Sequence, residues 1–178
     1  MDLNRLTKGE KLAGISSLVL FLASFIPLWA SRGYEAGVDL PGGFETKANL
    51  NAWSGYGLTM SIALLLALVV GVLVLAKAAG ALDRTNMPVP VGLIYAGAGA
   101  LILLIMLFSV LTGPEGVNEA DLGFGAKYVN DRGLMLFVGI LLAAGVAVGG
   151  FLHMQEEGST PKGVGGSPSA PPPGPPGT

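Results

Sequence analysis

Cysteine is absent from the chain, which excludes disulfides, thiolate metal sites, a cysteine nucleophile and lipids carried on cysteine. Charge is scarce as well: Asp, Glu, Lys and Arg make up 12% of the 178 residues, and there is a single histidine. The net charge of -2 and the lack of a dense Lys/Arg cluster leave no electrostatic footprint for nucleic acid. Also missing are a Gly-rich phosphate loop after a strand, a nucleophile elbow and paired carboxylates in a plausible pocket. The sequence therefore assigns no catalytic, cofactor-binding or metal-ligating residue, implies no cofactor, and makes an enzyme the least supported class.

Apolar residues make up 51% of the chain and come in long unbroken blocks, not in the amphipathic pattern of a water-soluble core. Four segments lack Asp, Glu, Lys, Arg and His: residues 12–30, 55–76, 88–112 and 133–152, each 19 to 25 residues long. As helices these would extend roughly 28 to 38 Å, against a hydrocarbon core of about 30 Å. Backbone groups in hydrocarbon must pair internally, and the alternating ten-residue segments of a β-barrel are not seen. The expected fold is thus an all-α membrane protein, an antiparallel bundle of four transmembrane helices with a small extracytoplasmic loop cap. Arg5, Lys8 and Lys11 before the first run resemble the start of a secretory signal. That run is long for one, however, ends in Pro27-Leu28-Trp29 and has no convincing small-x-small cleavage site, so it reads as a retained span.

Arg5, Lys8, Lys11, Lys77, Arg84 and Lys162 fall on one side of these spans, and Arg32, Lys47, Lys127 and Arg132 on the other. The six-to-four split, with three closely spaced positives beside the first span, predicts a multi-pass chain with both termini cytoplasmic. Residues 1–11 form the cytoplasmic N-terminus and 12–157 the transmembrane domain. Residues 158–178, with seven prolines and six glycines, form a disordered cytoplasmic tail whose Pro-Pro-Pro-Gly-Pro-Pro run favours polyproline II geometry.

Residues 77–87 make a short cytoplasmic turn, and Pro88 and Pro90 suit the first turn of the next helix. The outer connections, 31–54 and 113–132, are too long for simple turns. In the first, Pro41-Gly42-Gly43 is a turn signal, and Phe44, Thr46, Ala48 and Leu50 alternate with polar neighbours, as in a short β-hairpin. The second, rich in glycine and acid, reads equally as loop or short interfacial helix.

Trp29, Tyr34, Trp53 and Tyr56 bracket the first outer loop, where anchoring of amphipathic rings at the headgroups is expected ahead of ligand binding. Small residues recur every fourth position at Ala63, Ala67 and Gly71, at Gly92, Ala96 and Ala100, and at Gly145 and Gly149. Such ridges let helices approach closely within the bundle or, as a second use, between copies of the chain. Ser16, Ser17, Ser24, Thr59, Ser61, Tyr95 and Ser109 are the main polar side chains of the spans, and hydroxyls there usually bond a helix carbonyl. With no carboxylate, base or histidine inside the spans, ion-coupled transport is disfavoured. His153, beside Glu156 and Glu157 at the end of the last span, is a weak motif for a metal or a base.

Leu6-Thr-Lys-Gly-Glu-Lys-Leu12, Phe25-Ile-Pro-Leu-Trp29 and Asn51-Ala-Trp53 together resemble a group of small uncharacterised four-span membrane proteins of actinobacteria and related bacteria, over about residues 5 to 155. The resemblance implies a tetraspan fold in a bacterial plasma membrane, an outer loop and a Trp before helix two, and it brings no established activity. The tetraspan plan is also similar in architecture to the claudin group, whose paired loop cysteines and Gly-Leu-Trp motif are missing here. The expected role is a non-enzymatic accessory or scaffold subunit in contact with membrane lipid and with a partner membrane protein or further copies of itself; the alternative is a small oligomeric channel or uncoupled transporter.

Overall fold

The computed structural model describes residues 6–36, 46–81, 90–115, 119–121 and 126–158. They form four helices, α1 (Lys8–Ala23), α2 (Ala52–Ala78), α3 (Val91–Thr112) and α4 (Leu134–Gly158), and four strands, β1 (Ala30–Ala36), β2 (Thr46–Leu50), β3 (Glu119–Asp121) and β4 (Ala126–Arg132). Helix α4 packs against both α1 and α3, while α2 closes the ring between those two. α2, α3 and α4 are each long and apolar enough to cross a membrane.

The first helix differs most from its expected span of 12–30. It starts at Lys8 because Thr7 and Glu10 form a capping box, the Thr7 hydroxyl accepting from the Glu10 amide and the Glu10 carboxylate from the Thr7 amide. It stops at Ala23, four residues ahead of Pro27, which disfavours helix at the residue before it. All four terminal carbonyls are nonetheless satisfied. Ser24 N–H donates to Leu20 and Phe21, Phe25 N–H to Leu22 and Ile26 N–H to Ala23, while the Ser24 hydroxyl reinforces Phe21 and the Trp29 indole reinforces Ala23 at 2.8 Å.

The other helices follow their charge-free runs more closely. α2 starts earlier than residue 55, where the Asn51 side chain caps the Ser54 amide, and is broken at Gly57 (φ 60°, ψ -146°). Pro90 is the N-cap of α3, one step outside the helix, and α4 runs on past residue 152 to carry His153 and Glu156. Pro88, the turn at 41–43, residues 1–5 and the tail from 159 lie outside the described residues.

The outer connections form an antiparallel sheet in the order β2-β1-β4-β3. β2 pairs with β1, as a hairpin in the first connection requires, with Ala30 opposite Leu50. The described part of the second connection is largely strand, where loop or interfacial helix was expected: β4 adds alongside β1, with Tyr34 opposite Tyr128, and β3 pairs with β4. Its alternation is short and interrupted by glycine, so the strand character emerges only from pairing with a segment nearly a hundred residues away.

Glycines set the helix spacing. A Cβ at Gly149 would lie 2.5 Å from the Ala13 amide nitrogen on α1, and one at Gly99 would lie 2.5 Å from that of Ala147 on α4. A Cβ at Gly150 would strike the Ala96 backbone, whereas Gly97 has nothing within 4 Å. Gly99→Ala and Gly149→Ala should each cost about 1–3 kcal/mol by forcing backbones apart, whereas Gly97→Ala should be neutral or gain up to about 1 kcal/mol of helix propensity. Thermal unfolding of the three purified variants in one detergent measures the difference.

Candidate functional site

Helix α1 begins with a carboxylate in its first turn, and packing against α4 leaves that group nowhere to reach water. Glu10 is fully buried, as is His153, which α4 brings to the same end of the bundle. The close approach at Gly9, where a Cβ would run into the His153 backbone, presses the two helices together there. α2 supplies Lys77, a quarter exposed, whose ammonium pairs with Glu10 Oε1. α3 supplies Tyr95, its ring 5.9 Å from the imidazole and tilted by 33°. One titratable cluster thus joins all four helices.

His153 Nε2 stands 3.2 Å from Glu10 Oε1, within ion-pairing distance but not aligned as a hydrogen bond. Nδ1 is 3.0 Å from Thr7 Oγ1. The Thr7 hydroxyl oxygen also accepts from the Glu10 amide, which ties the start of α1 to the imidazole on α4. Glu156 Oε2 lies further off, 3.9 Å from Nδ1. The Lys77 ammonium gives the buried Glu10 carboxylate a partner of opposite charge.

The cluster braces the four helices against one another at this end of the bundle. Among the described residues no three His, Cys, Asp or Glu groups are placed to hold a metal ion. Glu10 was missed in the sequence because the first helix was expected only from residue 12, which left this residue in a solvated terminus. The available signal was Thr7-x-x-Glu10, a capping-box spacing that puts the carboxylate inside the helix. Lys77, expected in a cytoplasmic turn, is likewise the last charged residue of α2.

The expected anchors separate into different roles. Trp29 is wholly enclosed and does not present its ring to a headgroup layer: the ring lies against Gly139, where a Cβ would be 2.6 Å from Trp29 Cη2, and its indole caps α1. Tyr56 is buried too, donating to the Trp29 carbonyl at 3.2 Å. Trp53 is half-buried, donates to the Ser24 hydroxyl at 3.0 Å and contacts the rings of Phe21 and Phe25. Tyr34 alone of the four is exposed, edge-on to Tyr128 at 5.5 Å.

Of the expected packing residues, Ala63, Ala67, Gly71, Gly92 and Gly149 are buried, and Gly145 faces Ser16. Ala96 meets Gly150. Ala100 is exposed, because the buried stripe of α3 runs Gly92, Tyr95, Gly99, Ile102, Met106, Ser109 instead of keeping a strict four-residue step. Comparison with protein-family models and with curated proteins finds no match.

Removing one partner of a fully buried pair costs about 3–5 kcal/mol, and the partial exposure of Lys77 brings its expected cost to about 2–3 kcal/mol. Lys77→Met should therefore lower the unfolding midpoint in detergent. The double variant Glu10→Gln with Lys77→Met should lose less than the sum of the two single changes, which a double-mutant cycle reads directly.

Proposed function

We propose that this chain is a multi-pass protein of a bacterial plasma membrane, with both termini cytoplasmic, that acts as a non-enzymatic accessory or scaffold subunit. One observation carries the reading: two connections far apart in sequence are assembled into a single four-stranded sheet fastened to the helix ends. The fastening is backbone to backbone. Trp29 N–H donates to Leu50, Gly133 N–H to Trp29 at 2.7 Å, and Ala52 N–H to Ser24, so the sheet is held in fixed relation to α1, α2 and α4. A rigid platform on a lipid-embedded base is what a partner subunit needs for docking.

The orientation rests on Lys8, Lys11 and Lys77 gathering at the end opposite the sheet, together with the charge split of the sequence. The resemblance of the sequence to small tetraspan proteins of actinobacteria and related bacteria agrees with this plan and adds no activity. A channel or uncoupled carrier has less support, since the Ser17, Ser61 and Ser109 hydroxyls are spent on carbonyls of their own helices.

Crosslinking in native membranes, mild extraction and mass spectrometry of what co-purifies tests the proposal. A stoichiometric membrane partner is expected. The exposed Tyr34–Tyr128 pair is the best anchor on the sheet, so Tyr34→Ala should reduce recovery of that partner about tenfold or more, as loss of an aromatic hot spot does, while the unfolding midpoint barely moves. Recovery of the chain only as copies of itself, with solute flux in liposomes, would turn the reading to a channel.

A further inference from the structure

Helix α1 is too short to cross a bilayer alone. Its 16 residues extend about 24 Å, and the part beyond Lys11 only about 18 Å, against about 30 Å of hydrocarbon. The chain nevertheless stays free of charge until Arg32. Helix α4 gives a ruler for the depth it reaches. α1 starts where Gly9 meets His153, passes Gly145 at Ser16, and its continuation reaches the first turn of α4, where Met135 N–H donates to the Leu28 carbonyl at 3.0 Å. From Met135 to His153 is about 27 Å of helix. Helix and following turn together therefore travel almost as far as an apolar span.

The turn has the two properties that hydrocarbon demands. Its side chains are apolar and face outward: Phe25 is 54% exposed, Ile26 40% and Leu28 47%, on a level with the exposed Leu134 of α4. Its backbone offers no unpaired donor. Ser24, Phe25 and Ile26 N–H groups bond helix carbonyls, Pro27 has none, Leu28 N–H donates to Ile26 and Trp29 N–H to Leu50. The carbonyls of Ser24, Ile26, Leu28 and Trp29 are taken by Ala52, Leu28, Met135 and Gly133 in turn. Non-helical backbone at membrane depth must have its polar groups satisfied, and of the turn's backbone groups only the Phe25 and Pro27 carbonyls lack a backbone donor among the described residues.

We infer that the turn Ser24–Leu28 completes a fourth crossing of the membrane, with Phe25, Ile26 and Leu28 lying among the acyl chains of the leaflet on the sheet side. This rests on the membrane reading above and deepens it: the occupant of the apolar turn is lipid. The segment is a wedge of side chains on a tied backbone, bound by acyl chains and not by headgroups.

The cysteine-free chain allows single spin labels to be placed cleanly. Ile26→Cys and Leu28→Cys, labelled in phosphatidylcholine–phosphatidylglycerol proteoliposomes, would be compared with Leu104→Cys, an exposed position in mid-α3. Relaxation by oxygen should exceed relaxation by a water-soluble nickel chelate at all three positions. Nickel access at 26 and 28, with oxygen dominant at 104, would overturn the fourth crossing and leave the membrane reading standing. Labels at 26 and 28 closed to both reagents would overturn lipid as the occupant in favour of protein contact. Nickel access at 104 would remove the membrane reading and this inference with it.

Discussion

Backbone contact along α4 is the constraint from which the bundle's geometry follows. Adjacent glycines, Gly149 and Gly150, turn toward different neighbours, one against Ala13 of α1 and the other against Tyr95 and Ala96 of α3. In lipid no hydrophobic effect favours one apolar helix contact over another, so dispersion between closely fitted backbones decides which helices associate. Once α1 is drawn in at Gly9 and Gly149, its first-turn carboxylate has no route to water, and Lys77 and His153 become its required company. The polar cluster is thus a consequence of the glycine contact as well as a brace for it: the fit sets the distance between helices, and the charges set their register.

At the other end the same economy of polar groups governs the sheet. α1 ends short, and each loose carbonyl at its end is taken up by the turn, by Ser24 or by the indole of Trp29. Trp29 continues the chain into β1 while its backbone bonds Leu50 ahead of α2 and Gly133 ahead of α4. A side chain at Gly133 would collide with the Leu28 carbonyl, so this junction too depends on a bare backbone. One buried tryptophan therefore connects helix cap, sheet and core, and the sheet inherits the rigidity of the bundle beside it.

Helices α2, α3 and α4 were legible because each combines a long charge-free run with enough length to span, and the β2 pairing was legible from alternation at residues 46 to 50. The limits of α1 were not, because charge marks where a helix leaves hydrocarbon and not where helical backbone begins or ends. Thr7 and Glu10 start it among charged residues, and Ser24 to Pro27 stop it among apolar ones. The burial of Trp29 and Tyr56 was not legible because aromatic residues near a predicted boundary fit a headgroup layer and a buried junction equally well in sequence. The strands of the second connection were hidden for another reason: β4 is specified by its match to β1, a long-range pairing that local pattern does not encode.

Disulfide trapping between α1 and α4 is the most direct test of the arrangement. Ser16 and Gly145 face each other, a Cβ at 145 lying 3.1 Å from the Ser16 Cβ, close enough that slight separation reaches bonding geometry. In native membranes, the double variant Ser16→Cys with Gly145→Cys should form an intramolecular crosslink on mild oxidation, while Ser16→Cys paired with Gly97→Cys on the open side of α3 should not. Crosslinking of the second pair and not the first would mean that α1 is not held against the glycine face of α4, and the account of the bundle and its buried cluster would fail together.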